Sequence, residues 1–233
     1  MDHHYTDCYI AFLDILGFKQ LINNKTCEDI FRIFALKMQK PLSGFYCGTQ
    51  SIIDMHNVKM KVMSDSICFF IDSQVKNALI GLLATCAHFQ YELLRLQEPI
   101  LSRGAIVRGE IFADGDIVFG PGFVKAYQME EHNAKFPRII VTKSTLDNAR
   151  DNTDVDVVHY ISRTVFSDFD EFYAIDYLEL FEGLDTNGGD CPRLLEHINS
   201  ILGTTTDSSV QEKYLYLKKN LLRWYSPGIN TNA

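Results

Sequence analysis

Hydrophobic and polar positions divide the N-terminal part of the chain into strand-like and helix-like segments. Residues 9–13 form an almost unbroken apolar run that ends at Asp14, a pattern typical of a strand covered on both faces. Residues 58–63 alternate like a half-buried strand, and only Ser64-Asp65-Ser66 separates them from an apolar run at 67–71, which predicts a hairpin. Further strands are predicted at 101–112, 117–119 and 138–142.

Helical patterns alternate with these strands. Residues 27–40 follow Thr26, a preferred N-cap residue, and precede a proline. Apolar side chains recur at helical spacing along 74–97, which predicts a long amphipathic helix. Pro121 fits the first turn of a third helix that runs to about residue 134. The core order is therefore β-α-β-β-α-β-α-β, without internal repeats.

The C-terminal part of the chain is patterned less regularly. Strands are predicted near 156–161 and 172–181, a loop at 186–190, and helices at 192–202 and 209–225. We therefore predict a core domain over residues 1–150 and a C-terminal elaboration over 151–233 that packs on it.

Chain order also predicts which strand ends meet. A right-handed helical crossover from 9–13 to 58–63 makes these two strands parallel. If 67–71 lies between them, it is antiparallel to both, as in a ferredoxin-like sheet. The end of the first strand and the hairpin turn then lie at one edge of the sheet. Asp14 and Asp65, far apart in the chain, can therefore share a site.

Composition mainly excludes classes of function. Hydrophobic residues make up 46% of the chain and charged residues 22%, and the net charge of −8 argues against a nucleic-acid-binding surface. No apolar run approaches the roughly 20 residues that span a bilayer, and no signal-peptide pattern is present, so we expect a cytoplasmic protein without membrane association. The six cysteines are scattered, which favours reduced thiols.

Two converging carboxylates repel each other unless a cation lies between them. Mg²⁺ and Mn²⁺ prefer oxygen ligands and commonly bring phosphate oxygens with them. Residues 15–18 form a turn into a short helix at 19–22, whose amides could face phosphates, with Gly17 permitting close approach. Taken singly, Asp14 and Asp65 are better explained as turn or cap residues than as functional ones. The pair at one edge is what favours a metal site.

Three segments resemble motifs of the class III nucleotide cyclases over roughly residues 5–145. Ala11-Phe-Leu-Asp-Ile-Leu-Gly-Phe18 resembles the F-x-D-I-x-G-F metal motif. Lys59-Met-Lys-Val-Met-Ser-Asp-Ser66 resembles the second metal motif, which usually has Gly where this chain has Ser64. Ser102-Arg-Gly-Ala-Ile-Val-Arg-Gly-Glu-Ile111 is similar to the Arg-x-Gly-Ile-x-x-Gly strand. More narrowly, Phe119-Gly-Pro-Gly-Phe-Val-Lys-Ala-Tyr-Gln-Met-Glu130, followed by Phe136-Pro-Arg-Ile-Ile-Val141, resembles the pyrimidine cyclases of the bacterial Pycsar antiphage system.

The resemblance implies an α+β, ferredoxin-like cyclase core, with an antiparallel sheet and helices on one face, that works as a homodimer with shared active sites. Two Mn²⁺ or Mg²⁺ ions per site would be bound by Asp14, Asp65 and the Ile15 carbonyl. The implied reaction is two-metal attack of a ribose 3′-hydroxyl on the α-phosphorus, with release of pyrophosphate. The substrate would be UTP more than CTP, and cyclic UMP would activate a separate antiphage effector.

The same resemblance implies the contacts to the nucleoside triphosphate. The implied substrate-binding residues are Phe12, Leu16, Gly17, Phe18, Lys61, Ser64 and Arg103. Arg103 would bind the triphosphate bidentately and assist catalysis, or it forms an ordinary surface ion pair. Lys61 would donate to uracil or cytosine oxygens, or it is simply solvated.

One helix departs from the family pattern. Class III cyclases have Asn and Arg four residues apart after the fourth strand, where this chain has Val124 and Gln128. Lys125 is the candidate replacement as a catalytic cation, with Arg108 and Lys143 as alternatives. Because of this departure, a module that senses nucleotides without turning them over is an alternative function. A purine cyclase and a polymerase-palm relative that makes oligonucleotides are further alternatives.

Overall fold

The computed structural model describes residues 4–39, 57–150, 164–179 and 189–225. The strands are β1 (Thr6–Ile15), β2 (Lys59–Met63), β3 (Ser66–Asp72), β4 (Ser102–Asp114), β5 (Ile117–Phe119), β6 (Ile139–Val141), β7 (Val165–Ser167) and β8 (Tyr173–Ile175). The helices are α1 (Phe18–Asn24), α2 (Cys27–Gln39), α3 (Ala78–Leu94), α4 (Pro121–Asn133), α5 (Lys143–Arg150), α6 (Asp190–Thr204) and α7 (Ser208–Trp224). None of these helices combines the length and hydrophobicity that crossing a bilayer requires.

The strands form one mixed sheet in the order β2-β3-β1-β4-β6-β8-β7, with β5 paired to β4. β3 lies between β1 and β2 and is antiparallel to both, so β1 and β2 are parallel, as the crossover argument predicted. Among the strands described, only β4 and β6 pair in parallel. The α+β class is confirmed.

Local sequence explains where α2 begins. The Asp29 amide donates to Thr26 Oγ1 over 3.2 Å, and the Thr26 amide donates back to Asp29 Oδ2 over 3.3 Å. This reciprocal pair is a capping box with aspartate in the place of the usual glutamate. The predicted N-cap is therefore confirmed, while the predicted last residue of the helix, residue 40, lies outside the described residues.

The expected placement of helices on one face of the sheet is wrong for α4. Alternate β1 residues point to opposite faces: Tyr9, Ala11 and Leu13 join the core cluster that contains α3. Ile10 and Phe12 join a second cluster, which contains Ala126 of α4 with Phe123 and Met129 packed against it. β1 is apolar on both sides, so each face requires its own cover.

The C-terminal part extends the sheet and the core. β8 falls within the predicted 172–181 and pairs with β6, and α6 and α7 lie where helices were predicted. Buried residues of α6 and α7 belong to the same cluster as α3, which is why α3 is buried on nearly every side instead of being amphipathic. α5 and β7 were not predicted, and the predicted strand at 156–161 and most of the predicted loop at 186–190 lie outside the described residues. A domain boundary at residue 150 stays a prediction.

Candidate functional site

The end of β1 and the β2–β3 turn meet at one edge of the sheet. Asp14 lies opposite Ser66 in the β1–β3 register, and the Ile15 amide donates to the Asp65 carbonyl over 3.0 Å. Both aspartates are partly exposed. The predicted convergence of Asp14 and Asp65 is therefore present in the fold, and it results from the antiparallel insertion of β3 beside β1.

The turn that carries Asp65 has an unusual backbone. Ser64 is exposed and has φ 59°, in the left-handed region that residues with a Cβ rarely adopt. Glycine adopts this conformation without steric strain. The geometry gives a physical reason why the family motif usually has glycine at this position.

Arg103 lies beside Asp14 on the other side of β1. The two residues are opposite each other in the β1–β4 register, and Arg103 Nε donates to Asp14 Oδ2 over 3.0 Å. Arg103 Nη1 also donates to the Ala134 carbonyl over 3.2 Å. The guanidinium is thus held at the carboxylate edge by β1 and by the residue that follows α4, and is not an isolated surface cation.

A third carboxylate, Glu130 of α4, lies at this edge and was not predicted. Its Oε1 atom is 2.9 Å from Arg103 Nε, and its side chain is only 4% exposed. Burial raises the pKa of Glu130 to about 7; Arg103 opposes this shift, and the charges of Asp14, Glu131 and Asp65 reinforce it. The charges of Asp14 and Asp65 therefore act on the buried Glu130 carboxyl group.

The sequence did hold a signal for Glu130. The buried residues of α4 are Gly122, Ala126 and Glu130, which are spaced four apart and form one stripe along the helix. An acidic residue in an otherwise small or apolar buried stripe is rare unless it is paired. That spacing could have marked Glu130 as a functional candidate.

The donor set fits a hard divalent cation. Asp14 and Asp65 offer carboxylate oxygens at adjacent strand ends, and the guanidinium of Arg103 contacts two carboxylates, Asp14 and Glu130. Magnesium is commonly held by one or two carboxylates together with water and substrate phosphates. Among the described residues no group of three or more His, Cys, Asp or Glu side chains forms a complete metal site.

Comparison with solved structures matches this architecture to cyclase domains. The structure is similar to the monomeric guanylyl cyclase domain of the RhoGC fusion protein from the aquatic fungus Blastocladiella emersonii, with a TM-score of 0.54 and 14% identity over 75% of this chain and 98% of that one. The chain shares the fold of this cyclase domain. Weaker matches are a bacterial light-regulated adenylyl cyclase (TM-score 0.47, 11% identity, 75% of this chain, 92% of that one) and an adenylate/guanylate cyclase/hydrolase from Silicibacter pomeroyi (0.46, 14%, 74%, 95%). No family model matches the sequence, and no curated protein matches it.

In this cyclase fold, the predicted phosphate loop is a tight turn. Gly17 has φ 76° and caps α1, and the Gln20 amide donates to the Gly17 carbonyl over 2.9 Å. The Leu16 amide donates to the Leu101 carbonyl over 2.9 Å and is therefore already used within the fold. A phosphate contact from this segment stays a prediction for the amides of Gly17 and Phe18.

Two other predicted substrate-binding residues have partners within the chain. Phe12 is buried, and its ring packs edge-on against Phe123 and Tyr127 with centroid distances of 5.5 Å, so its side chain supports the site from the core. Lys61 Nζ donates to the Gly115 carbonyl and lies 3.7 Å from Asp116 Oδ1. Lys61 therefore contacts the β4–β5 turn in this structure.

The candidate replacements for the cation missing from α4, Lys125, Arg108 and Lys143, lie in different parts of the fold. Val124, Lys125 and Gln128 are all exposed on α4. Arg108 is hydrogen-bonded to Asp7, towards the opposite end of β1. Lys143 follows β6. The first residue of β6 lies opposite Gly104 and its last lies opposite Ile106, so β6 leads away from the Asp14 edge before the chain reaches Lys143. Within this chain, Arg108 and Lys143 are thus remote from the carboxylate edge.

Proposed function

We propose that this chain is a metal-dependent nucleotide cyclase that converts a nucleoside triphosphate to a 3′,5′-cyclic nucleotide and pyrophosphate. The observation that carries the proposal is that Asp14 and Asp65 are neighbours in the fold. The amide of Ile15, the residue after Asp14, donates to the Asp65 carbonyl over 3.0 Å. The shared fold of a guanylyl cyclase domain supports the same reading.

Each residue at the edge has a role in this proposal. The carboxylates of Asp14 and Asp65, with the Ile15 carbonyl, hold two divalent cations, Mn²⁺ or Mg²⁺. Such ions, when bound, supply Lewis-acid activation of the attacking hydroxyl and charge stabilisation of the departing pyrophosphate. Arg103 contacts the triphosphate, since a guanidinium matches the geometry of phosphate oxygens. Asp14 and Arg103 neutralise each other until the substrate and cations arrive.

We further propose a pyrimidine substrate, UTP ahead of CTP. The resemblance of residues 119–130 to the Pycsar cyclases supports this choice, and the cyclic product would then act on a separate effector in antiphage defence. An ammonium at Lys61 can donate to O2 of either pyrimidine or to O4 of uracil, but it cannot accept from the amino group of cytosine. Lys61 would have to leave the β4–β5 turn to make that contact.

We also propose a homodimer in which each site draws on both subunits. Val124 and Tyr127 on α4 and Ile117 and Phe119 on β5 are 51%, 42%, 60% and 48% exposed, and exposed apolar residues on these two elements support a partner surface. If Lys125 acts across the dimer, mixing the inactive Asp65→Ala and Lys125→Ala variants restores about a quarter of wild-type activity, since half of the dimers are mixed and each has one intact site. No recovery on mixing rules out a shared site that uses Lys125.

The function is tested by incubating the purified protein with each of the four nucleoside triphosphates plus Mn²⁺ or Mg²⁺. Mass spectrometry of the products should show cyclic UMP first, then cyclic CMP, with the Asp65→Ala variant as the matched control. Cyclic GMP or cyclic AMP as the main product would replace the pyrimidine substrate by a purine. If no triphosphate gives a cyclic product above the control, the cyclase proposal is lost.

A second candidate function is nucleotide sensing without turnover. It is favoured by the exposed Val124, which offers no polar group where class III cyclases have asparagine. This alternative predicts that a nucleotide with a divalent cation raises the melting temperature while no pyrophosphate is released. Linear or larger nucleotide products would instead indicate a polymerase-like reaction with the same paired carboxylates.

A further inference from the structure

The N–H of one arginine nitrogen faces two acceptors at the carboxylate edge. Arg103 Nε lies 3.0 Å from Asp14 Oδ2 and 2.9 Å from Glu130 Oε1. A guanidinium Nε carries a single hydrogen. That hydrogen bonds to Asp14, and among the described residues nothing donates a hydrogen bond to the buried Glu130 Oε1. The two carboxylates therefore compete for the same donor, and Asp14 holds it.

The excluded oxygen is unfavourable for the folded protein. A buried acceptor without a donor loses its hydration and gains nothing in exchange. Burial and the charges of Asp14, Glu131 and Asp65 raise the pKa of Glu130, although Arg103 opposes the shift. Local arrangements that work against stability in this way are expected at functional sites.

The geometry changes when the proposed substrate arrives. If Asp14 turned its oxygens to a divalent cation, the Arg103 Nε–H would lose its acceptor. Glu130 Oε1 is already within hydrogen-bonding distance of Nε, and Nη1 stays on the Ala134 carbonyl at 3.2 Å. Arg103 could thus exchange one carboxylate for the other with little movement of its side chain.

We infer that Glu130 is a positioning residue that takes over Arg103 from Asp14 when metal and triphosphate bind. This inference rests on the proposed function. It assigns to Glu130 no contact with substrate or metal, in agreement with the absence of any three-residue acidic metal cluster among the described residues. Without Glu130, Arg103 would enter the complex with only the Ala134 carbonyl to orient it.

Binding measurements test the inference directly. Glu130→Gln retains the shape of the side chain and removes its charge, and Glu130→Met also removes the acceptor. With Mn²⁺ present, we expect Glu130→Gln to weaken binding of a non-hydrolysable UTP analogue about tenfold, the loss typical of one charge-assisted hydrogen bond, and Glu130→Met to weaken it more. Mn²⁺ binding alone, followed by electron paramagnetic resonance, should change less than threefold.

Glu131→Gln is the matched control. Glu131 is the next residue of α4 and is exposed, and its charge also acts on Glu130. If Glu130→Gln and Glu131→Gln bind the analogue equally well, the inference is overturned, even if the Glu130 variant has a changed melting temperature. If the wild-type protein binds no metal–nucleotide complex with any of the four bases, the proposed function is contradicted, and the inference about Glu130 is lost with it.

Nuclear magnetic resonance of the wild-type protein removes the dependence on variant folding. The Arg103 Nε–Hε signal, assigned with Arg103→Lys, should shift on addition of Mg²⁺ and the analogue and stay protected from exchange, because its acceptor changes from Asp14 to Glu130. In Glu130→Gln the bound-state signal should exchange faster. An unchanged Arg103 signal in a wild-type protein saturated with ligand would overturn the hand-over.

Discussion

Two arginine–aspartate pairs join β1 to β4, one towards each end of these strands, and they differ in charge balance. Arg108 donates from Nε and Nη2 to Asp7 Oδ2 over 2.8 and 2.7 Å, and Ser73 adds a third hydrogen bond over 2.8 Å. Burial alone would raise the pKa of Asp7, but the hydrogen bonds from Arg108 and Ser73 outweigh it, so this pKa is lowered. One cation here satisfies one anion.

At the other end, Arg103 serves two carboxylates and has a third nearby. Asp14 takes its Nε–H, Glu130 has a raised pKa, and Asp65 contributes to that rise. The same residue types on the same strands thus form a closed ion pair at one end and an anionic excess at the other. An excess of carboxylates, more than the presence of an aspartate, is what indicates a cation site.

The largest expected difference between the two ends is in activity. Asp14→Asn and Asp65→Asn remove ligands of the proposed cations, so we expect cyclic-nucleotide formation to fall by about a thousandfold or more. Asp7→Asn removes an equivalent charge from the closed pair and should leave the rate within about threefold of wild type. Initial rates of product formation, measured by mass spectrometry, test this prediction. Similar losses of activity in the Asp7 variant and in the Asp14 and Asp65 variants would contradict it.

Metal binding should separate the ends without any substrate. Mn²⁺ at about a hundred times its dissociation constant should raise the melting temperature of the wild-type protein and of Asp7→Asn by roughly 5–10 °C relative to EDTA. Asp14→Asn should show little of this shift. Differential scanning fluorimetry with a Mn²⁺ titration measures it. An equal shift in Asp14→Asn would place the metal elsewhere on the protein.

The pH dependence of stability should have opposite signs at the two ends. Because the pKa of Glu130 is raised to about 7 in the folded state, its neutral form favours folding, and this contribution is lost as the pH rises from about 4.5 to 7. Glu130→Gln should therefore remove a loss of about 1–3 kcal/mol across that window. Asp7 has a lowered pKa, so its contribution is lost as the pH falls through that pKa.

Urea unfolding at pH 4.5 and pH 7.5 measures the Glu130 effect, whereas the Asp7 effect lies at lower pH because the pKa of Asp7 is lowered. The free energy of unfolding of Glu130→Gln should depend less on pH than that of the wild-type protein in this range, while Asp7→Asn should keep the wild-type slope. A wild-type slope in Glu130→Gln would mean that Glu130 titrates normally.

The smallest predicted effect concerns the backbone that presents Asp65. Ser64 has φ 59°, so Ser64→Gly should relieve strain and raise the free energy of unfolding by about 0.5–1 kcal/mol. Ser66 begins β3 and has ordinary strand geometry, so Ser66→Gly should lower it by a similar amount. Urea unfolding of both variants is the measurement, and a destabilised Ser64→Gly would show that the serine side chain is required there.

The approach of Asp14 to Asp65 could be predicted because it depends on rules that chain order satisfies. The apolar run before Asp14, the short turn around Asp65 and the handedness of the crossover together determine which strand ends meet. No contact between distant side chains had to be known. Arg103 could be predicted only from resemblance, since its position opposite Asp14 depends on the pairing of β1 with β4.

What could not be predicted depends on surroundings that no local pattern encodes. The four-residue spacing of Gly122, Ala126 and Glu130 is visible in the sequence, but only the packing of α4 shows that this stripe is buried. The sequence shows that both faces of β1 are apolar, so each face needs a helix to cover it. The pattern does not say which helix covers which face, and the location of α4 on the face opposite α3 therefore could not be predicted. Three-residue strands such as β7 are too short to show a period.

The most direct test of the account is a crystal structure with Mn²⁺ and a non-hydrolysable UTP analogue, with anomalous scattering used to locate the metal. The account predicts manganese peaks between the Asp14 and Asp65 carboxylates, with Arg103 released from Asp14 and the analogue's phosphates beside it. A nucleotide bound elsewhere, with Arg103 still on Asp14 and no manganese at that edge, would contradict it.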